Sequence, residues 1–110
     1  MSMDANDFET AADTLLARLQ TRIERELADA DIDAELRGGI LTVEFDDGRQ
    51  FVINKHGPTK QIWVSSPLTG AAHYAWDDGA KVWRSTRSDA TLEAALAKDL
   101  AEASGLKVAF

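Results

Sequence analysis

The chain has 110 residues, of which 45% are apolar, and this predicts one globular domain, residues 1–110, with its own hydrophobic core. Its net charge of −7 argues against binding to nucleic acid or to an anionic membrane surface, because both interactions require positive charge. The absence of cysteine excludes a disulfide framework, a thiolate metal site and a cysteine nucleophile supplied by this chain. No apolar run approaches the roughly 18 residues of a transmembrane helix.

The charge is distributed unevenly along the sequence. Residues 1–47 contain thirteen acids and four bases, a net of −9, whereas residues 48–110 contain eight bases and six acids, a net of +2. This asymmetry indicates either two faces with different partners or an acidic face that serves only to keep the protein in solution.

The first periodic segment predicts an amphipathic helix. Its apolar stripe consists of Phe8, Ala12, Leu15, Leu16, Leu19, Ile23 and Leu27. Asn6, followed three residues later by Glu9, resembles a capping box and predicts the start of the helix. A mainly acidic flank (Glu9, Asp13, Gln20, Glu24) and a basic flank (Arg18, Arg22, Arg25) border the stripe on opposite sides.

The middle of the chain predicts five or six strands joined by short turns. The predicted strands are residues 35–37, 40–45, 50–54, 61–65, 73–76 and 81–84, with a loop at 55–59. Gly38-Gly39 is a strong signal for a two-residue hairpin. Strands joined in this way are antiparallel neighbours.

A second amphipathic helix is predicted near the end of the chain. Its apolar positions are Leu92, Leu96, Leu100 and Ala103, and an apolar tail of Leu106, Val108 and Phe110 is expected to pack back on the core. The helix is expected to start near Asp89 or Thr91 and to end at Gly105. The order of elements predicts an α+β two-layer sandwich, with both helices on one face of an antiparallel sheet.

Alternation within the fourth strand places one large aromatic side chain on the solvent side of the sheet. Ile62 and Val64 are expected to point inward, so Trp63 shares the outward face with Gln61 and Ser65. An aromatic side chain there is either a recognition anchor or a residue packed against a neighbouring strand or loop.

Carboxylates alternate with apolar residues between the first helix and the first strand. Asp29, Asp31 and Asp33 have the spacing that opens an EF-hand, but Ala34 and Ile40 occupy the positions that require glycine and glutamate. In an extended chain, alternate carboxylates lie about 6.5–7 Å apart. They therefore favour shallow oxygen-only sites for hard cations, completed by water.

The sequence offers little for catalysis. There is no G-x-S-x-G motif and no phosphate-binding loop, and nothing places two carboxylates in an apolar pocket.

Residues 54–70, NKHGPTKQIWVSSPLTG, closely resemble the signature of the frataxin family. Further similarities are Asp31-Ile32-Asp33, Gly38-Gly39, Tyr74-x-Trp76 and Trp83, so that the resemblance extends over residues 8–110. It implies two helices on one face of an antiparallel sheet. It also implies a small iron-binding protein of iron–sulfur cluster assembly, which associates with the cysteine desulfurase and its scaffold protein.

The resemblance assigns the two ambiguous features to two surfaces. Weak, exchangeable binding of Fe²⁺ or Fe³⁺ is implied for an acidic ridge formed by Glu24, Asp29, Asp31, Asp33 and Glu35, with Glu44, Asp46 and Asp47 as outlying ligands. Partner binding is implied for Asn54, Lys55, Gln61, Trp63 and Ser65 on one face of the sheet. Arg22 and Arg25 make this ridge less uniformly acidic than many family members.

We therefore expect a protein that is not itself an enzyme, is monomeric or oligomerises with iron, and acts in the bacterial cytoplasm without a presequence. Two alternatives stay open. One is a ferroxidase or iron-storage protein, and the other is an adaptor whose iron binding is incidental.

Overall fold

The computed structural model describes residues 3–110. Its elements are α1 (Ala5–Glu26), β1 (Ile32–Arg37), β2 (Ile40–Phe45), β3 (Gln50–His56), β4 (Gln61–Ser66), β5 (Gly70–Asp77), β6 (Val82–Ser85) and α2 (Leu92–Ser104). A short 3₁₀ helix, Gly57–Thr59, connects β3 to β4. The six strands pair antiparallel in chain order, and both helices pack on one face of the sheet. The predicted sandwich is confirmed.

The core lies between the helices and the inner face of the sheet. All seven predicted apolar residues of the first helical segment are buried, together with Leu92, Leu96 and Leu100 of α2. The sheet contributes Leu41, Val43, Phe45, Phe51, Ile53, Ile62, Val64, Tyr74 and Trp83. Full burial of one leucine, isoleucine or phenylalanine side chain stabilises the fold by about 1.5–3 kcal/mol. This layer therefore fixes which side of each strand faces water.

The helix α1 begins two residues earlier than the capping-box pattern predicts. Asp4 is the N-cap, and its side chain accepts a hydrogen bond from the Asp7 backbone N–H at 2.7 Å. The prediction of a capping box at Asn6 and Glu9 is wrong, because Glu9 makes an ion pair with Lys55 of β3 instead. The start of α2 at Thr91 and its end at Gly105, with φ of +73°, are confirmed.

Three strands extend by two residues or more beyond the bounds that their sequence patterns predict. β1 begins at Ile32 instead of residue 35, because its first residues pair with the end of β2. β3 continues to His56, because Lys55 and His56 pair with Ile62 and Gln61 of β4. β5 begins at Gly70, and its first residues continue the pairing with β4. The Gly38-Gly39 hairpin is confirmed, and φ values of +59° and +79° suit glycine at both turn positions.

No helix within residues 3–110 combines the length and the apolar character needed to cross a membrane.

Candidate functional site

Four carboxylates line a shallow depression at the β1–β2 edge of the sheet, on the face opposite the helices. They are Asp31, Asp33, Glu44 and Asp46, which we call the acidic edge. Asp33 and Glu44 are direct cross-strand partners, and both are exposed. In such a pair the Cβ atoms lie about 5 Å apart. The Asp46 N–H donates to the Asp31 carbonyl oxygen at 3.1 Å, which holds the two flanking acids beside the pair.

The electrostatics of the acidic edge favour a bound cation. Like charges directly opposite each other on a sheet destabilise it. Within residues 3–110, none of these four carboxylates makes an ion pair, and Glu44 only accepts a hydrogen bond from Gln50 Nε2 at 3.1 Å. No group of three or more histidine, aspartate or glutamate side chains in this part of the chain is already arranged around a metal position. The acidic edge therefore offers oxygen ligands for only part of a coordination shell, and water must supply the rest.

The other predicted iron ligands lie outside this depression. Glu24 lies one turn after Gln20, whose side chain donates to the Ala34 carbonyl oxygen of β1 at 3.2 Å, so Glu24 flanks the start of β1. Asp29 is exposed in the turn between α1 and β1. Glu35 makes an ion pair with Arg37 at 2.6 Å. The predicted ridge is thus divided, because only Asp31 and Asp33 of its five members lie in the depression. The outlying Glu44 and Asp46 join them there.

Asp47, the remaining outlying carboxylate, has a structural partner in its own turn. It accepts hydrogen bonds from the Arg49 backbone N–H at 3.0 Å and from Arg49 Nε at 2.8 Å. The backbone hydrogen bond, together with the neighbouring guanidinium, lowers the pKa of Asp47. This carboxylate is therefore engaged in closing the β2–β3 turn.

Lys55 does not share a face with the other predicted partner-binding residues, and this part of the prediction is corrected. Its cross-strand neighbour is the buried Ile62, so its side chain lies on the helix side of the sheet. Lys55 Nζ donates to Asp13 at 2.8 Å and to Glu9 at 2.5 Å. These hydrogen bonds raise the pKa of Lys55. The physical reason is the continuation of β3, which sends adjacent residues to opposite faces.

Trp63 lies on the outer face, as alternation predicts, and it is packed between two histidines. The imidazole of His56 stacks on its indole at a centroid distance of 3.7 Å, and that of His73 stacks at 4.4 Å, both at 12° between the planes. Trp63 Nε1 donates to Gln61 Oε1 at 2.9 Å. The indole is therefore half-buried and fixed in orientation. Of the two alternatives given by the sequence, packing against neighbouring strands is the one that the structure shows.

The surroundings of Trp63 form a continuous surface. Asn54 is its cross-strand neighbour on β3, and Gln61 and Ser65 flank it along β4. We call Asn54, His56, Gln61, Trp63, Ser65 and His73 the Trp63 platform. Sequence reasoning missed both histidines, because their contact with Trp63 follows from the cross-strand register, which pairs Trp63 with His73.

The fold carries the acidic edge and the Trp63 platform on the same face of the sheet, toward opposite ends of the strands. The family model described as a frataxin-like domain matches residues 1–106. The iron–sulfur cluster assembly protein CyaY of Dechloromonas aromatica is 40% identical over 91 residues, 82% of each chain. The protein of the same name from Burkholderia mallei is 35% identical over 109 residues, 98% of each chain. The chain belongs to the frataxin-like family.

Solved structures agree with this assignment. Frataxin from Psychromonas ingrahamii has a TM-score of 0.83 and 28% identity, over 96% of each chain. Trimeric frataxin from the yeast Saccharomyces cerevisiae, complexed with ferrous iron, has a TM-score of 0.69 and 30% identity, over 96% of this chain and 89% of that one.

Proposed function

We propose that this protein is a non-enzymatic iron-binding protein of iron–sulfur cluster assembly. In this proposal it holds Fe²⁺ weakly on the acidic edge and docks through the Trp63 platform on the cysteine desulfurase and scaffold complex, where it regulates cluster formation or donates iron. The names of the two bacterial relatives and the ferrous complex of the yeast frataxin support the general role. The observation that carries the iron site is the directly opposed Asp33–Glu44 pair, neither member of which makes an ion pair within residues 3–110.

The donor set suits exchangeable ferrous iron. Carboxylate oxygens are hard ligands, and the Asp33–Glu44 pair supplies at least two of them on adjacent strands. Water completes the coordination shell, so the ion can leave without any rearrangement of the fold. Binding also removes the repulsion between the two carboxylates. Iron is therefore carried here as cargo.

Partner docking is supported by the rigidity of the Trp63 platform. Stacking between His56 and His73 fixes the indole before binding, so little side-chain entropy is lost on association. Large aromatic side chains held in this way are common energetic anchors of interfaces. The acidic edge on the same face would attract a basic partner surface and accelerate encounter. We place this activity in the bacterial cytoplasm, in a monomer that oligomerises, if at all, with iron.

Calorimetric titration with Fe²⁺ under anaerobic conditions tests the iron site. The double variant Asp33→Asn/Glu44→Gln should weaken the tightest binding by about tenfold, because it removes both charges of the opposed pair. The matched control is Asp89→Asn/Glu102→Gln, which changes charge equally at exposed positions of the other half of the chain. Equal loss in both variants would show that iron responds only to net charge, and would contradict the proposed site.

A second pair of measurements separates the proposal from its alternatives. Trp63→Ala should weaken binding to the desulfurase complex and leave the iron titration unchanged. Trp63→Phe should restore part of the affinity if the variant is folded. Catalytic oxygen consumption with Fe²⁺ would identify a ferroxidase instead. Normal cluster assembly by Asp33→Asn/Glu44→Gln would identify an adaptor whose iron binding is incidental.

A further inference from the structure

A cavity of about 490 Å³ opens on the helix side of the molecule, between α1, the start of α2 and the β5–β6 hairpin. We call it the hairpin groove. Its apolar walls are Leu15 of α1, Trp76, Val82 and Trp83 of the hairpin, and Phe110. The two indoles meet edge to face, with centroids 5.4 Å apart at 63°. Its volume is within the range of small-molecule sites, and such sites are lined mainly by apolar and aromatic side chains.

The rim of the hairpin groove is basic, although the protein as a whole carries −7. Three basic side chains, Arg18, Arg22 and Lys81, line it together with one acidic side chain, Glu93. Arg18 makes an ion pair with Glu93, and Lys81 makes one with Asp78 at 3.0 Å. Arg22 is exposed and has neither an ion pair nor a side-chain hydrogen bond within the described part of the chain. A guanidinium free of partners thus lies beside an apolar cavity.

We propose that the hairpin groove binds a small organic anion with an apolar body, such as an aliphatic carboxylate. The apolar body would pack against Trp76, Trp83 and Phe110, and the carboxylate would accept hydrogen bonds from the Arg22 guanidinium. Guanidinium geometry matches a carboxylate with two parallel N–H donors. The groove lies on the opposite side of the sheet from the Trp63 platform. The groove is therefore spatially separate from the iron and partner surfaces proposed above.

Tryptophan fluorescence gives a local readout for this binding. The chain has three tryptophans, and two of them line the groove. In a Trp63→Phe background, the emission comes only from Trp76 and Trp83. Octanoate is the probe, and octan-1-ol is its uncharged counterpart. We expect a saturable change in emission with octanoate, with a Kd on the order of 0.1–1 mM for a ligand of this size.

Charge variants on α1 locate the anion. Arg22→Ala should weaken octanoate binding by about fivefold, the upper range for an exposed ion pair. Arg25→Ala is the matched control, because it removes an exposed cation from the same helix outside the groove. It should leave binding unchanged, and octan-1-ol should bind more weakly than octanoate. The proposal is overturned by a response that does not saturate, by equal effects of the two arginine variants, or by equal binding of octan-1-ol.

Discussion

Removing one charge from the acidic edge should stabilise the protein when no metal is bound. Asp33 and Glu44 lie directly opposite each other, and both are exposed. Two unit charges about 5 Å apart in water repel each other by about 0.8 kcal/mol. Asp33→Asn keeps the shape of the side chain and removes this repulsion. For a domain of this size, we expect a rise in Tm of about 2–4 °C in metal-free buffer.

Thermal unfolding followed by circular dichroism measures this effect. Raising NaCl from 0.05 to about 0.5 M should shrink the difference between Asp33→Asn and the wild type, because exposed charges are screened. Asp29→Asn is the control, since Asp29 is exposed in the α1–β1 turn and has no opposed carboxylate on a neighbouring strand. Anaerobic Fe²⁺ should raise the Tm of the wild type more than that of Asp33→Asn. A Tm that falls in Asp33→Asn, or rises equally in Asp29→Asn, would refute the electrostatic reasoning.

Two further predictions concern Lys55 and the hairpin beside it. Lys55→Met should lower the free energy of unfolding by about 1 kcal/mol at neutral pH, measured by urea denaturation. Because hydrogen bonds to Asp13 and Glu9 raise the pKa of Lys55 above 10.5, this contribution is fully present below pH 10.5 and is lost as the pH rises through the raised value. A difference in the free energy of unfolding between the variant and the wild type that persists at pH 12 would indicate that the Lys55 side chain contributes through packing and not through its charge. Gly39→Ala should destabilise by about 1–3 kcal/mol, because φ is +79° and a Cβ would lie 2.6 Å from Lys55 Cε. Gly38→Asn has open space and a turn conformation that asparagine adopts, so its Tm should remain within about 2 °C of the wild type, and an equal loss in both variants would contradict this account.

The spacing of apolar residues predicted the sandwich, because burial of one face of a helix or strand requires apolar residues at regular intervals in the sequence. Each apolar stripe or alternation specifies one buried face, and the residues of α1 and of β4 that were expected inside are inside. The α1 cap was different, because Asn6 and Asp4 are both good caps and a local pattern cannot choose between them. In the structure Asp4 is the cap, and Glu9, the second member of the predicted capping box, makes an ion pair with Lys55, which lies far along the chain.

The candidate site was predicted less completely, for two physical reasons. The strand β3 was expected to end at residue 54, so alternation was not applied to Lys55, and the residue was assigned to the wrong face. The stack on Trp63 depends on cross-strand register, which is set by turns that the sequence does not resolve. The division of the acidic ridge likewise follows from pairing, since Asp33 faces Glu44 whereas Glu35 faces Thr42.

The central claim is that iron binds at the acidic edge and the partner binds at the Trp63 platform. Backbone amide NMR of the full chain, with anaerobic Fe²⁺ and separately with the desulfurase, tests this claim most directly. We predict that Fe²⁺ broadens the amides of residues 31–35 and 44–46 first, because paramagnetic relaxation is strongest near the ion. The desulfurase should perturb the amides around Asn54, Gln61 and Trp63. Fe²⁺ broadening centred on His56 and His73, with the amides of Asp33 and Glu44 unaffected, would contradict the account.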